Sequence, residues 1–135
     1  MKRLLALCVA LVIFASCSID DGEDFTKVFV PVESVEIPDE FELGKIYSIE
    51  VNYLRPSTCH SFNEFYYLIE GNERIVAPIN YAFEGDDCQI LEDKLVKASF
   101  PFKVISTNSY IFKFWKGNDT EGKSEYLTIE VPVVQ

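Results

Sequence analysis

The chain has 135 residues, a net charge of −10, four cysteines and a single histidine. That length is one domain's worth. The acidic balance repels phosphate backbones and so argues against nucleic-acid binding, and one imidazole leaves little for histidine-based metal or nucleophile chemistry.

Lys2 and Arg3 stand before twelve apolar residues, Leu4 to Ala15. A spanning helix needs about 20, so the run fits a helical export signal that is cleaved. Small residues, Ala15 and Ser16, directly precede Cys17. The arrangement resembles the bacterial lipobox. That resemblance implies that the Cys17 thiol is diacylglycerated, that residues 1–16 are removed, and that the new amine is acylated. Phe14 occupies the position where Leu is commonest, a choice that lipoboxes of the Bacteroidota type tolerate. Each buried CH₂ contributes about 0.8 kcal/mol, so one acyl chain, such as a palmitate, holds marginally and two or three hold firmly. Loss of the leader also removes Cys8 and two positive charges.

Residues 17–27 read as an acidic, flexible tether. Nine acids and one base, Lys27, fall between Asp20 and Glu42, a pattern of solvated chain. The acids at Asp20, Asp21, Glu23 and Asp24, close behind the cysteine, resemble the surface-export signal of Bacteroidota lipoproteins. This implies display on the outer face of the outer membrane, with a periplasm-facing anchor as the second choice.

From residue 28 to 135 the chain is a series of strand-like runs. Val28 to Val32 is β-rich but interrupted by Pro31. Ser34 to Ile37 is a short second piece. Lys45 to Leu54 alternates, with Tyr47, Ile49, Val51 and Tyr53 on one face. Phe62 to Glu70 is continuous and aromatic, as in a central strand, and Gly71-Asn72 turns it back. Arg74 to Phe83 alternates with Ile75, Ala77, Ile79, Tyr81 and Phe83 on one face, and Pro78 suggests an edge. Ile90 to Val96 has room for one helical turn. Val96, Ala98, Phe100, Phe102 and Val104 line the next strand. Ser109 to Lys116 and a last strand with Leu127, Ile129, Val131 and Val133 follow. No sustained 3.6-residue period occurs after the leader. The expected class is all-β, a single immunoglobulin-like antiparallel sandwich of about seven strands.

Tyr110, in Asn108-Ser109-Tyr110-Ile111-Phe112, resembles the tyrosine corner of such sandwiches, in which the hydroxyl bonds back to the backbone upstream. Phe112 stands where antibody domains carry a cysteine, so an antibody-type bridge between the sheets is excluded. The segment Tyr53-Leu54-Arg55-Pro56-Ser57-Thr58-Cys59-His60-Ser61-Phe62, the cysteine at Cys88, and Phe112-Lys113-Phe114-Trp115-Lys116-Gly117 are similar to small flavobacterial surface lipoproteins of unknown function. That resemblance spans residues 45 to 131 and implies no chemistry.

Once Cys8 and Cys17 are set aside, Cys59 and Cys88 remain as an even pair in an oxidising compartment, which reads as a disulfide joining two loops. The alternative is a metal site from Cys59-His60 and Asp86-Asp87-Cys88, but neither CxxC nor HExxH is present. His60 is the one possible general base, with no G-x-S-x-G to accompany it. Asn118, Asp119 and Glu121 lack the EF-hand spacing and read as a polar turn. Phe62, Phe65, Tyr66, Tyr67 and Trp115 are the candidate binding aromatics, because adjacent rings in Phe65-Tyr66-Tyr67 cannot share one face of a strand. Rings left uncovered would stack on sugars or grip a protein. The expected function is therefore a non-enzymatic binding, adhesion or complex-accessory module, without metal or cofactor, attached to the membrane through Cys17. A small envelope hydrolase using His60 and a structural subunit of an envelope assembly are the alternatives. An inhibitor of the lipoprotein signal peptidase should make the uncut precursor accumulate in the producing cell; unchanged processing would remove the lipid anchor.

Overall fold

The computed structural model describes residue 22 and residues 24–135. The leader over 1–16, Cys17 and most of the acidic segment behind it lie outside the described residues. Ten strands follow one another: β1 (Phe25–Phe29), β2 (Val32–Glu36), β3 (Phe41–Glu42), β4 (Ile46–Leu54), β5 (His60–Glu70), β6 (Glu73–Phe83), β7 (Leu95–Lys103), β8 (Tyr110–Asn118), β9 (Ser124–Val131) and β10 (Val133–Val134). Residues 25–27, expected in the tether, already belong to β1. The helical turn expected near Ile90 is absent: Ile90 forms a bridge with Ser57, and the Leu91 amide donates to the Pro56 carbonyl.

The fold is all-β. A five-stranded sheet runs β1-β6-β8-β9, with β5 on the other flank of β6, and a three-stranded sheet runs β2-β4-β7. Both sheets contribute to one core: Val32, Ile49, Val51 and Phe102 from the smaller, with Val104 just past the end of β7, meet Val76, Tyr110, Phe112, Phe114 and Val131 from the larger. Full burial of side chains this size contributes about 1.5–3 kcal/mol each. Phe41 in β3, with no exposed surface, lies within 5.3 Å of Phe102 and 4.9 Å of Tyr47, ring centre to ring centre. Most pairings are antiparallel, but β6–β8 and β3–β10 are parallel, a departure from a wholly antiparallel sandwich.

Two strands exchange the roles expected of them. Among the described residues β5 is an edge strand, paired only with β6, whereas β6 is central. Pro78 does not force β6 to an edge because of where its missing N–H falls. On the flank away from β5, β8 pairs with Glu73 to Val76, and β1 pairs with Ile79 to Phe83. Pro78 sits between these two ladders, and its carbonyl accepts the Val30 amide at 3.0 Å. In an extended strand a residue's nitrogen and carbonyl share a side. The missing donor therefore faces the junction of β1 and β8, where no ladder bond is lost. The hairpin joining β5 to β6 has Gly71 at φ 58° as the first of two loop residues, the position that a type II′ turn reserves for glycine.

The tyrosine corner is present. The Tyr110 hydroxyl accepts the amides of Ile105 at 3.1 Å and Ser106 at 2.9 Å. Its ring is buried, 4.8 Å from Phe102, so the crossover between β7 and β8 is tied to the core. Tyr110→Phe should lower unfolding stability by about 1–3 kcal/mol, the sum of two net backbone hydrogen bonds. Chemical denaturation checks this, and a loss below about 0.3 kcal/mol would contradict the role of the hydroxyl.

Candidate functional site

Alternation along β6 sends Arg74, Val76, Pro78 and Asn80 into the sandwich, and Ile75, Ala77, Ile79, Tyr81 and Phe83 to the outer face of the larger sheet. That face is apolar where a solvated sheet is normally polar. β1 adds Phe25 and Phe29, which are 49% and 54% exposed. An ion pair at 3.0 Å between Lys27 of β1 and Glu64 of β5 crosses this face. On one side of it Phe25 packs edge-on against Tyr81 at 4.6 Å.

On the other side is a cleft of about 280 Å³. Ile75 and Ala77 form its floor, Phe29, Tyr66, Trp115 and Tyr126 its walls, and Asn118 with Ser124 its polar end. The cleft follows from the topology. β1 and β8 share one flank of β6, and β1 leaves that flank at Val30-Pro31 to become β2 of the opposite sheet. Where β1 departs, the small side chain of Ala77 is walled by rings from four strands. A register shift between Trp115 and Gly117, with Gly117 at φ 104°, makes a bulge of the kind that re-aims a neighbouring side chain. The rings do not lie flat: Phe29 meets Tyr66 at 84° and Trp115 at 63°. Such walls admit a single ring or side chain between them and do not make a flat platform. The Trp115 indole N–H donates to Asn118 Oδ1 at 3.4 Å, as does the Ser124 hydroxyl at 3.1 Å.

The sequence-selected aromatics thus divide. Tyr66 and Trp115 come together on the outer face. Phe65 and Tyr67 point the other way and pack on Phe100 of β7, with ring centres 5.2 and 5.7 Å apart. Phe62 joins Tyr53 and Phe65 at one end of the interior. Phe29 and Tyr126 escaped the sequence reading. Phe29 lies in a run broken by Pro31, and neither residue has a motif that separates an outer-face ring from a core one.

Cys59 and Cys88 are joined, Cα atoms 5.4 Å apart. The chain-entropy model gives such a loop about 3.5 kcal/mol. The bond closes one end of the sandwich. There the Thr58 amide donates to the Gln89 carbonyl and Phe83 to Cys59, while Arg55 donates to the carbonyls of His60 and Thr58 at 2.6 and 2.8 Å. His60 Nδ1 lies 2.7 Å from Ser57 Oγ, which also accepts the Cys59 amide at 3.1 Å. Partial burial, and then the Arg55 guanidinium, hold the imidazole below its ordinary pKa. No carboxylate among the described residues orients the ring. Asp119 Oδ1 accepts the amides of Glu121 and Lys123 and so serves as the turn's cap. Among the described residues no three His, Cys, Asp or Glu side chains gather as a metal site, and no helix is long and apolar enough to cross a membrane.

No family model, curated protein or solved structure matches the chain.

Proposed function

We propose that this protein is a non-enzymatic binding module held on the bacterial outer membrane by lipid on Cys17, with the outer aromatic cleft as its binding surface. The observation that carries this reading is the cluster of Phe29, Tyr66, Trp115 and Tyr126 on the solvent side of the larger sheet, around a cleft whose lining has no charged residue. Apolar surface of this kind marks contact sites. The ligand that fits best is a neutral glycan. Sugar C–H faces pack on aromatic rings, the amide of Asn118 and the hydroxyl of Ser124 offer hydrogen bonds at one end, and the acidic chain disfavours an anion. An acidic tether behind several acyl chains on Cys17 suits a domain that must reach away from a membrane.

Trp115 is the one tryptophan of the sequence, so its emission reports on the cleft directly. Neutral oligosaccharides of the gluco-, manno- and xylo- types, titrated separately, should include at least one that shifts this emission. Tyr66→Ala should weaken that ligand about tenfold, consistent with one lost aromatic contact. An emission unmoved by every sugar would overturn the glycan reading.

The Ser57–His60 hydrogen bond supports a second reading, a small hydrolase, because a serine hydrogen-bonded to an imidazole is the start of a nucleophilic pair. A fluorophosphonate probe separates the two readings. The binding-module reading expects Ser57 to stay unlabelled, and labelling that Ser57→Ala abolishes would establish the hydrolase.

A further inference from the structure

A second cavity, of about 340 Å³, opens along the side of the sandwich between β5 and β7, within the size range of small-ligand sites. Among the described residues neither strand has a neighbour on this flank. Tyr67 and Ile69 of β5 face Phe100 and Phe102 of β7 across it, with Arg74 and Lys103 as its charged lining. In a chain of net charge −10, this groove is lined by two cations and no acid.

Arg74 is 7% exposed, and no carboxylate of the described residues pairs with it. Its guanidinium lies 5.0 Å over the Tyr110 ring. Nη1 donates to the carbonyls of Gly71 at 3.0 Å and Glu73 at 2.8 Å. The Tyr67 hydroxyl is a further hydrogen-bond partner of the guanidinium, while Nε meets no acceptor among the described residues. A buried cation without a counter-ion is costly, and the Nε–Nη2 edge is one that a carboxylate grips with two parallel hydrogen bonds. Asn52 and Asn80 also bury unpaired amide atoms, but neither lines either of the two cavities.

We propose that this groove binds an apolar monocarboxylate, an alkyl-chain acid whose carboxylate meets the Arg74 guanidinium and whose chain lies between β5 and β7. One guanidinium at the inner end matches one carboxylate, and the ring-lined walls match an alkyl chain. An extended peptide fits less well, because both flanking edges carry features that oppose strand addition. Val104 bonds toward β4 through both its amide and its carbonyl. The β4–β7 register runs without a shift, so Pro101 faces the open flank with no N–H to offer. On β5 a bulge interrupts the edge between Phe62 and Glu64.

The test uses the mature chain carrying Cys17→Ser, so that no anchor lipid competes. Dodecanoate should bind one to one and shift the Arg74 Nε–H resonance, identified by its loss in Arg74→Lys. Dodecanol, with the chain but no charge, and acetate, with the charge but no chain, should each bind at least about tenfold more weakly. Ile69 is 59% exposed, so Ile69→Asp should fold normally and, by placing a like charge at the groove mouth, weaken dodecanoate about tenfold. The proposal is overturned if dodecanoate leaves the Arg74 Nε–H resonance unmoved, if dodecanol binds as well, if Ile69→Asp binds like the parent chain, or if only acidic peptides occupy the groove.

Discussion

The contact on which the rest of the structure depends is the one that holds Tyr110. Its hydroxyl accepts two backbone amides from the β7–β8 crossover, its ring packs on Phe102, and the Arg74 guanidinium lies over that ring. This fixes the first residue of β8 in the core. In a strand, one residue of slip exchanges the faces. With Tyr110 inside, Phe112 and Phe114 are inside as well, and Trp115 is delivered to the outer cleft. The same ring supports the one buried cation of the second groove. Two surfaces on opposite sides of one sheet therefore take their geometry from a single side chain.

The second constraint is the shared flank of β6. A strand ordinarily has one neighbour on each side. Here β8 and β1 take consecutive stretches of the same flank, one parallel and one antiparallel, with Pro78 at their junction. The proline is therefore placed where a missing donor does least harm. The departure of β1 toward the other sheet opens the cleft over Ala77. The disulfide and the Arg55 bonds to the 58–60 backbone close one end of the sandwich, so the loops there are held by a covalent link and by a guanidinium bonded to two backbone carbonyls.

Much of the fold was legible in the sequence. The alternation at Tyr47 to Tyr53 and at Val96 to Val104 marked the true inner faces of β4 and β7, and the pairing of Cys59 with Cys88 followed from counting thiols. The Tyr110 corner was visible as a local pattern. What could not be read was pairing order. Pro78 suggested an edge because a sequence does not reveal that two strands meet at one position of a third. The aromatic run in β5 suggested a centre, although its rings divide between an outer cleft and an inner groove. Ile75, Ala77 and Ile79 alternate as a buried face would, but which side of a sheet is covered depends on partners distant in sequence. The buried Arg74 had no signal at all: a cation beginning a strand after a hairpin is ordinarily solvated.

The central claim is that the outer aromatic cleft is the surface this domain uses while anchored. Hydroxyl-radical footprinting tests it most directly, comparing the producing cells with the purified mature chain. The account predicts that oxidation of Trp115, Tyr66 and Tyr126 falls on the cell relative to the purified chain, while an exposed ring outside both cavities, Phe62, is oxidised equally in both. Equal oxidation of the cleft residues in the two settings would contradict it.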